Sequence, residues 1–217
     1  MPTKLDYDFN RSVARIDLSA ERSGVFTPDI AMIEINEGAL QRFNAVTELV
    51  APGIKPMSGD QIAGACRRVL RAASKGAQSP FIRVRMRRAA EMRAALSDPG
   101  WTMDAPVHAR VAALVAYMDD PHGLIPKESP VIGHLDEALL VDAAMDTLRA
   151  ELEDYADFCR FRQGEAMRRS VAAENTGIDR AQWADEREQE RRLEQQLRQV
   201  RGSTYAGGAM EHAFRVC

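Results

Sequence analysis

Residues 138–159 of this 217-residue chain read ALLVDAAMDTLRAELEDYADFC, and their apolar side chains recur every three or four positions. That spacing matches the turn of an α-helix and places the apolar side chains on one face. Gly133 stands just before the repeat, and Asn175-Thr176-Gly177 interrupts the chain further on. The pattern predicts a long core helix that begins after Gly133 and extends to about residue 173. Its apolar positions are Ala138, Val141, Met145, Leu148, Leu152, Tyr155 and Cys159.

Helical spacing also occurs on both sides of this segment. Upstream, four apolar stripes each follow residues that typically cap or begin a helix. Downstream, residues 178–201 are highly charged and carry only a thin apolar stripe. We find no run of alternating β-branched residues, so the sequence predicts an all-α fold. We expect a single bundle of about six helices, with a proline-rich loop before the long core helix. The upstream starts are Thr27-Pro28-Asp29, Ser58 with Gln61, Ser79-Pro80 and Asp104-Ala105-Pro106. The thin stripe consists of Trp183, Leu193, Leu197 and Val200.

Composition divides the chain into four parts. Residues 1–26 mix charges of both signs with few apolar residues, which is typical of a flexible arm or a short docking helix. The bundle is expected over residues 27–175, and its first helix carries an apolar stripe from Met32 to Val50. A charged outer helix is predicted over 178–201. The glycine-rich residues 202–217 predict a flexible tail.

The overall composition is that of an ordinary globular protein, with 45% hydrophobic and 28% charged residues and a net charge of −3. No apolar run is long enough for a membrane span, and the chain does not begin with a secretory signal pattern. Cys66, Cys159 and Cys217 are far apart and odd in number, which fits neither a disulfide framework nor a zinc site. These features predict a cytoplasmic protein that does not associate with a membrane.

Residues 117–141, YMDDPHGLIPKESPVIGHLDEALLV, contain three prolines within ten residues and make a stiff, irregular connector. Leu124, Ile125, Val131 and Ile132 are expected to hold it against the core. The segment resembles the pattern Y-x3-P-x-D-L-I-P-D-x2-P-x2-G-x-L-D-D of the YkvA-like family, a bacterial domain of unknown function. The positions that match are Tyr117, Pro121, Leu124, Ile125, Pro126, Pro130, Gly133, Leu135 and Asp136.

The resemblance covers roughly residues 60–145 and implies a compact helical hairpin at about 96–145. It leaves the activity open, because the family has no assigned chemistry that could be transferred to this chain. Gly123 and Lys127 replace the two family aspartates around Leu-Ile-Pro, and Glu137 replaces the last one. The chain therefore keeps only part of the acidic cluster of the family.

Acidic residues at the two ends of this connector raise the question of a metal site. Asp119 and Asp120 precede it, while Asp136 and Glu137 follow it, with His122 and His134 close in sequence. Carboxylate oxygens suit magnesium or manganese, which makes Asp120, Asp136 and Glu137 candidate ligands. A second interpretation needs no metal. Asp119 and Asp120 would end one helix in solvent, and Asp136 and Glu137 would favour the N-terminus of the next.

Charge is distributed unevenly along the chain. Residues 66–93 contain nine basic residues and one acidic residue, whereas residues 128–157 contain nine acidic residues and one basic residue. Arginine-rich helices are typical of surfaces that bind nucleic acid or anionic lipid. Alternatively, the basic and acidic segments pack together or face another copy of the chain. The candidate basic surface consists of Arg67, Arg68, Arg71, Lys75, Arg83, Arg85, Arg87 and Arg88, and the segment ends with Arg93.

No nucleophile motif, zinc-binding motif or phosphate-binding glycine loop occurs in the sequence. Cys66 and Cys159 fall on apolar stripes, where a thiol is usually a small core residue. The leading hypothesis is a non-enzymatic adaptor or regulator that binds another protein or itself, without a cofactor. Its docking face would be the basic helices or the charged final helix. One alternative is a nucleic-acid-binding protein that uses the arginine-rich helices. A second is a metal-dependent enzyme built on Asp120, Asp136 and Glu137.

Overall fold

The computed structural model describes residues 12–17, 32–73, 78–129 and 131–206. Six α-helices occur in these residues, which confirms the predicted all-α class and helix number. A small two-stranded antiparallel sheet, formed by β1 (Ser12–Asp17) and β2 (Met32–Asn36), accompanies them. A short 3-10 helix at Ala173–Asn175 separates the last two helices. The helices are α1 (Glu37–Val50), α2 (Gly59–Ala72), α3 (Pro80–Ser97), α4 (Ala105–Asp119), α5 (Leu135–Arg169) and α6 (Arg180–Ala206).

The first predicted helix was wrong in its N-terminal part. Residues 32–36 form β2, and α1 begins at Glu37 rather than after Thr27-Pro28-Asp29. The Asn36 side chain provides the cap, because its Oδ1 accepts a hydrogen bond from the Ala39 N–H at 2.7 Å. The apolar stripe from Met32 to Val50 therefore covers the whole of β2 and the shorter helix α1 that follows it.

The sheet explains why residues 32–36 do not form a helix. Ile33 and Ile35 are buried, whereas Glu34 between them is exposed, which is the alternation of a strand with one buried face. Ile33 lies opposite Ile16 of β1. On the other face, Arg15 and Glu34 form an exposed ion pair at 3.0 Å. The free energy gained by burying Ile33 and Ile35 in the paired strands therefore outweighs the preference for a helix that the spacing of apolar residues indicates.

β1 also corrects the predicted N-terminal arm. Residues 12–17 lie inside the segment 1–26, where an arm or docking helix was expected, and they form a strand. The rest of that segment lies outside the described residues. Lys75, Pro130 and Cys217, which were named in the sequence analysis, lie outside them too.

The chain divides into two compact units. One contains residues up to Asp98 together with Met103–Tyr155, and the other contains Pro99–Thr102 together with residues from Ala156 onward. The division falls within α5, not near residue 175 as predicted from composition. Helix α5 thus contributes its first part to one core and its last part to the other.

In the first unit, two of the predicted start signals cap their helices with a side chain. Ser58 and Gln61 form a capping box at the start of α2, and Ser79 caps α3 ahead of Pro80. Helix α4 contacts both α1 and α3. The apolar stripe of α5 faces this core, because Ala138, Val141, Leu148 and Leu152 are buried and Met145 is half-buried. The largest fully buried side chains of the unit include Phe43, Ile62, Ile82, Met92, Leu114, Leu135 and Leu140.

The second unit is organised around aromatic side chains. The Trp101 ring lies 5.1 Å from the Phe158 ring and 5.4 Å from the Trp183 ring, measured between centroids. The guanidinium of Arg180 stacks over Trp101 at 4.3 Å. Trp183 therefore attaches the first turn of α6 to the end of α5 within this unit. Helix α6 runs to Ala206, so residues 202–206 extend the predicted helix and do not belong to a tail.

No helix in the part of the chain that the structure describes is long and apolar enough to cross a membrane.

Candidate functional site

The family-like segment forms the α4–α5 loop, which comprises residues 120–129 and 131–134. Its anchor is Asp136 in the first turn of α5, which is fully buried. The Tyr117 hydroxyl and the Leu124 N–H each donate a hydrogen bond to Asp136 Oδ2 at 2.8 Å. The Ile125 N–H approaches the same oxygen at 3.4 Å. One carboxylate oxygen thus ties the end of α4 and the middle of the loop to the start of α5.

Apolar side chains and one glycine hold the rest of this loop in place. Leu124, Ile125, Val131 and Ile132 are all buried, as the sequence predicted. Gly133 is required by close packing, because a Cβ atom there would lie 2.5 Å from the carbonyl oxygens of both Lys127 and Ser129. His134 follows with a positive φ of 66°.

Glu137 lies beside Asp136 and is also buried, with 1% of its surface exposed. Its Oε1 lies 3.7 Å from Lys127 Nζ and 3.4 Å from His134 Nδ1. Burial raises the pKa of Glu137 to about 8, and the Asp136 carboxyl, which lies within hydrogen-bonding reach, adds to the effect. Lys127 opposes this increase only in part.

Gly123 and Lys127, which depart from the family-like pattern, lie next to the carboxyl groups of Asp136 and Glu137. We call these two groups the carboxyl pair. A Cβ atom at Gly123 would lie 3.2 Å from Asp136 Oδ2, so an aspartate there would bring another carboxylate close to the pair. Lys127 donates hydrogen bonds to the carbonyl oxygens of Met118 at 2.6 Å and Asp120 at 2.8 Å. Its ammonium group therefore places a positive charge between the C-terminus of α4 and Glu137.

The structure does not assemble the predicted metal ligands. Asp120 faces Arg42 and His122, with 4.0 Å from its Oδ2 to Arg42 Nε, and only its backbone carbonyl meets the Lys127 ammonium. Asp119 forms a two-point ion pair with Arg93 at 2.7 and 2.8 Å. Among the described residues, no group of three or more histidine, cysteine, aspartate or glutamate side chains is arranged to hold a metal ion.

The thiol of Cys66 is fully buried. Burial, followed by the charge of Asp136, raises the pKa of Cys66 to about 12, so the thiol is neutral at physiological pH. A neutral, buried thiol packs as a small core side chain and is not poised as a nucleophile.

Within the described residues, some arginines of α2 and α3 form ion pairs, and others do not. Arg85 pairs with Asp142 of α5 at 2.6 Å, and Arg88 pairs with Glu91 on its own helix at 2.7 Å. The acidic segment therefore neutralises only part of the basic one. Four further arginines are exposed and form no ion pair within the described part of the chain. They are Arg67 and Arg68 on α2, and Arg83 and Arg87 on α3.

The two halves of α6 differ. The first half is anchored, because Asp157 accepts hydrogen bonds from Trp183 Nε1 at 2.9 Å and from Arg187 Nε at 2.6 Å. Burial opposes the charge on Asp157, but these two donors still hold its pKa below the ordinary value. From residue 189 to residue 201, every residue is exposed. Leu193, Leu197 and Val200 in this stretch are 57%, 49% and 61% exposed.

Charged side chains border the exposed apolar stripe. Glu188 pairs with Arg192 at 2.9 Å, and Glu194 pairs with Arg198 at 3.6 Å, each pair four residues apart. Such pairs stabilise an exposed helix by only about 0.3 kcal/mol each. They support the helix but leave the stripe accessible.

No family model, curated protein or solved structure matches this chain. The YkvA-like resemblance thus rests on the residue pattern of the sequence alone.

Proposed function

We propose that this chain is a non-enzymatic protein-binding adaptor or regulator of the cytoplasm, built on a YkvA-like helical domain. Its docking element would be the exposed half of α6. One observation carries the proposal: residues 189–201 are all exposed and present Leu193, Leu197 and Val200 along one helical face. Large apolar side chains grouped in this way are typical of a protein-binding surface.

The spacing of these side chains favours a particular mode of recognition. Positions i, i+4 and i+7 are the anchors that a helix inserts into an apolar groove of a partner. Residues 191–201 contain four arginines and one glutamate, so the border of the stripe is basic. A fitting partner would offer an apolar groove with an acidic rim. The stripe spans a single heptad, whereas a stable coiled coil needs about three or four, which favours a groove over a second copy of α6.

Two pairs of substitutions on α6 test this proposal with the same change in charge. Leu193→Asp with Leu197→Asp disrupts the apolar stripe, whereas Gln195→Asp with Gln199→Asp places the same two charges on the opposite face of the helix. All four residues are exposed, so both variants should keep the wild-type circular dichroism and melting temperature. Proteins from the source organism would be captured on each variant, and any specific partner would then be purified and titrated directly.

We expect the control variant to bind the purified partner like the wild type. The stripe variant should bind at least about tenfold more weakly, because two apolar anchors are lost. Equal binding by both variants would place the docking face elsewhere. If the wild type binds no specific protein at all, the adaptor function itself is contradicted.

A second candidate function is nucleic-acid binding, favoured by the exposed Arg67, Arg68, Arg83 and Arg87. Their charges are not used by ion pairs among the described residues, and arginine suits phosphate oxygens. Duplex DNA and RNA would be titrated at about 50 and about 200 mM salt, because phosphate contacts make affinity fall steeply with salt. Arg83→Glu with Arg87→Glu should abolish binding, whereas Arg149→Glu with Arg201→Glu, an equal charge change elsewhere, should leave most of it.

A further inference from the structure

The adjacent carboxyl groups of Asp136 and Glu137 present an electrostatic problem in the first unit. Both side chains are buried, and Asp136 Oδ1 and Glu137 Oε2 have no hydrogen-bond partner among the described residues. A carboxylate oxygen can only accept hydrogen bonds, so two ionised groups would leave both oxygens buried and unsatisfied. Such an arrangement is costly, and buried polar groups in proteins are nearly always paired.

We infer that Asp136 and Glu137 share one proton at neutral pH, and that its loss loosens the α4–α5 loop. Glu137 is the protonated partner, and its Oε2–H donates to Asp136 Oδ1. This single proton satisfies both unpartnered oxygens. Asp136 is the ionised partner, because its Oδ2 already accepts hydrogen bonds from the Tyr117 hydroxyl and the Leu124 N–H.

The groups around the pair support one negative charge but not two. From α4, the Tyr117 hydroxyl is neutral, because burial followed by the Asp136 charge raises its pKa. From α2, the Cys66 thiol is neutral for the same reasons. From the loop, Lys127 and His134 face Glu137 Oε1. Lys127 is the nearest fixed positive charge, and it is shared with two backbone carbonyls.

The direction of the pH dependence follows from the raised pKa of Glu137, about 8 compared with an ordinary value of 4.5. In the unfolded chain, Glu137 loses its proton at the ordinary value. In the folded chain it keeps the proton until about pH 8. The contribution of Glu137 to the free energy of unfolding is therefore fully present below its ordinary pKa of 4.5. It decreases as the pH rises and is lost above about pH 8. Ionised Glu137 would then repel the Asp136 carboxylate, to which the Leu124 N–H and the Tyr117 hydroxyl donate hydrogen bonds.

Urea unfolding of the full chain between pH 6 and pH 9 tests the inference. Glu137→Gln keeps a permanent N–H donor toward Asp136 and cannot titrate. Glu128→Gln makes the same chemical change at an exposed position in the same loop. We expect the unfolding equilibrium constant of the wild type to rise by about tenfold per pH unit relative to Glu137→Gln below pH 8. Glu128→Gln should follow the wild type. Parallel curves for the wild type and Glu137→Gln would overturn the inference.

If Glu137→Gln does not fold, NMR of the carboxyl carbons of the wild-type protein provides a second test of the shared proton. One glutamate carboxyl should titrate near pH 8, and titration of every glutamate in the ordinary acidic range would contradict the shared proton.

Hydrogen exchange of the Leu124 amide tests whether the α4–α5 loop loosens. Its protection should fall as the Glu137 carboxyl ionises, relative to the Leu148 amide in the core of α5. Unchanged protection of Leu124 would refute the loosening of the loop.

Discussion

Lys127 Nζ lies 3.7 Å from Glu137 Oε1 and donates hydrogen bonds to the carbonyl groups of Met118 and Asp120 at the C-terminus of α4. One ammonium group thus serves two purposes. It satisfies backbone acceptors at the C-terminus of a helix, where positive charge is favourable, and it offsets the buried charge of the carboxyl pair. The chain places this lysine where the family-like pattern has an aspartate. The acidic character of the motif is therefore replaced here by an internal charge balance.

Replacing Lys127 with methionine should destabilise the first unit. The variant keeps most of the side-chain volume but leaves the Met118 and Asp120 carbonyls without their donor and removes the charge opposite Glu137. We expect a loss of about 2 to 4 kcal/mol in the free energy of unfolding, measured by urea denaturation at pH 7. Lys55→Met, at an exposed lysine, is the matched control and should change it by less than about 0.5 kcal/mol. A similar loss in both variants would show that Lys127 has no special role.

Tyr117→Phe tests the anchor on the other carboxyl. It removes the hydroxyl that donates to Asp136 Oδ2 but keeps the ring, which packs edge-on against Phe43 at 6.3 Å. Because a charged, buried acceptor loses a donor, we expect a loss of about 1.5 to 3 kcal/mol by urea denaturation. In the control Tyr155→Phe, the hydroxyl meets the half-buried Asp98 at 3.2 Å, and the expected loss is below about 1.5 kcal/mol. The reverse order of the two losses would contradict the anchor role of Tyr117.

Local signals predicted most of the helices well. The capping box at Ser58 and Gln61 and the proline after Ser79 act within a few residues of their own positions, so the sequence alone is enough to place them. The stripe from Ala138 to Tyr155 also predicted most of the buried face of α5, although Met145 is only half-buried. The caps depend on contacts within one helix, and the stripe repeats every three or four residues, which fits an α-helix and not a strand.

Long-range contacts account for what could not be predicted. Met32 and Ile35 fit a helical stripe as well as a strand, and only the pairing of Ile33 with Ile16 decides between them. Likewise, Asp136 and Glu137 at a helix N-terminus are ordinarily exposed. Their burial depends on a loop that returns over them, and its hydrogen bonds join residues up to 19 positions apart. Lys127, which stands among apolar loop residues, is a signal in the sequence for a buried acid.

Two glycines allow opposite predictions for the same substitution. Gly133→Ala would place a Cβ atom 2.5 Å from two carbonyl oxygens, so the backbone of the α4–α5 loop must move. We expect a loss of more than about 2 kcal/mol in thermal or urea unfolding, as for other overpacked sites. Gly164→Ala lies inside α5 with no atom within 4 Å of the added carbon, and it should gain about 0.5 to 1 kcal/mol from helix propensity. Equal effects at both positions would disprove the close packing at Gly133.

Asp157 anchors the first half of α6, and its removal should release that half without affecting the first unit. Asp157→Ala eliminates the acceptor for both Trp183 Nε1 and Arg187 Nε. We expect the tryptophan emission to shift to longer wavelength, because Trp183 becomes exposed, and the unfolding free energy of the second unit to fall by about 1 to 3 kcal/mol. Asp154→Ala, an exposed aspartate three residues earlier on the same helix, should leave the emission unchanged. An unchanged spectrum for Asp157→Ala would mean that the aromatic contacts of Trp101, Phe158 and Trp183 are sufficient to hold α6.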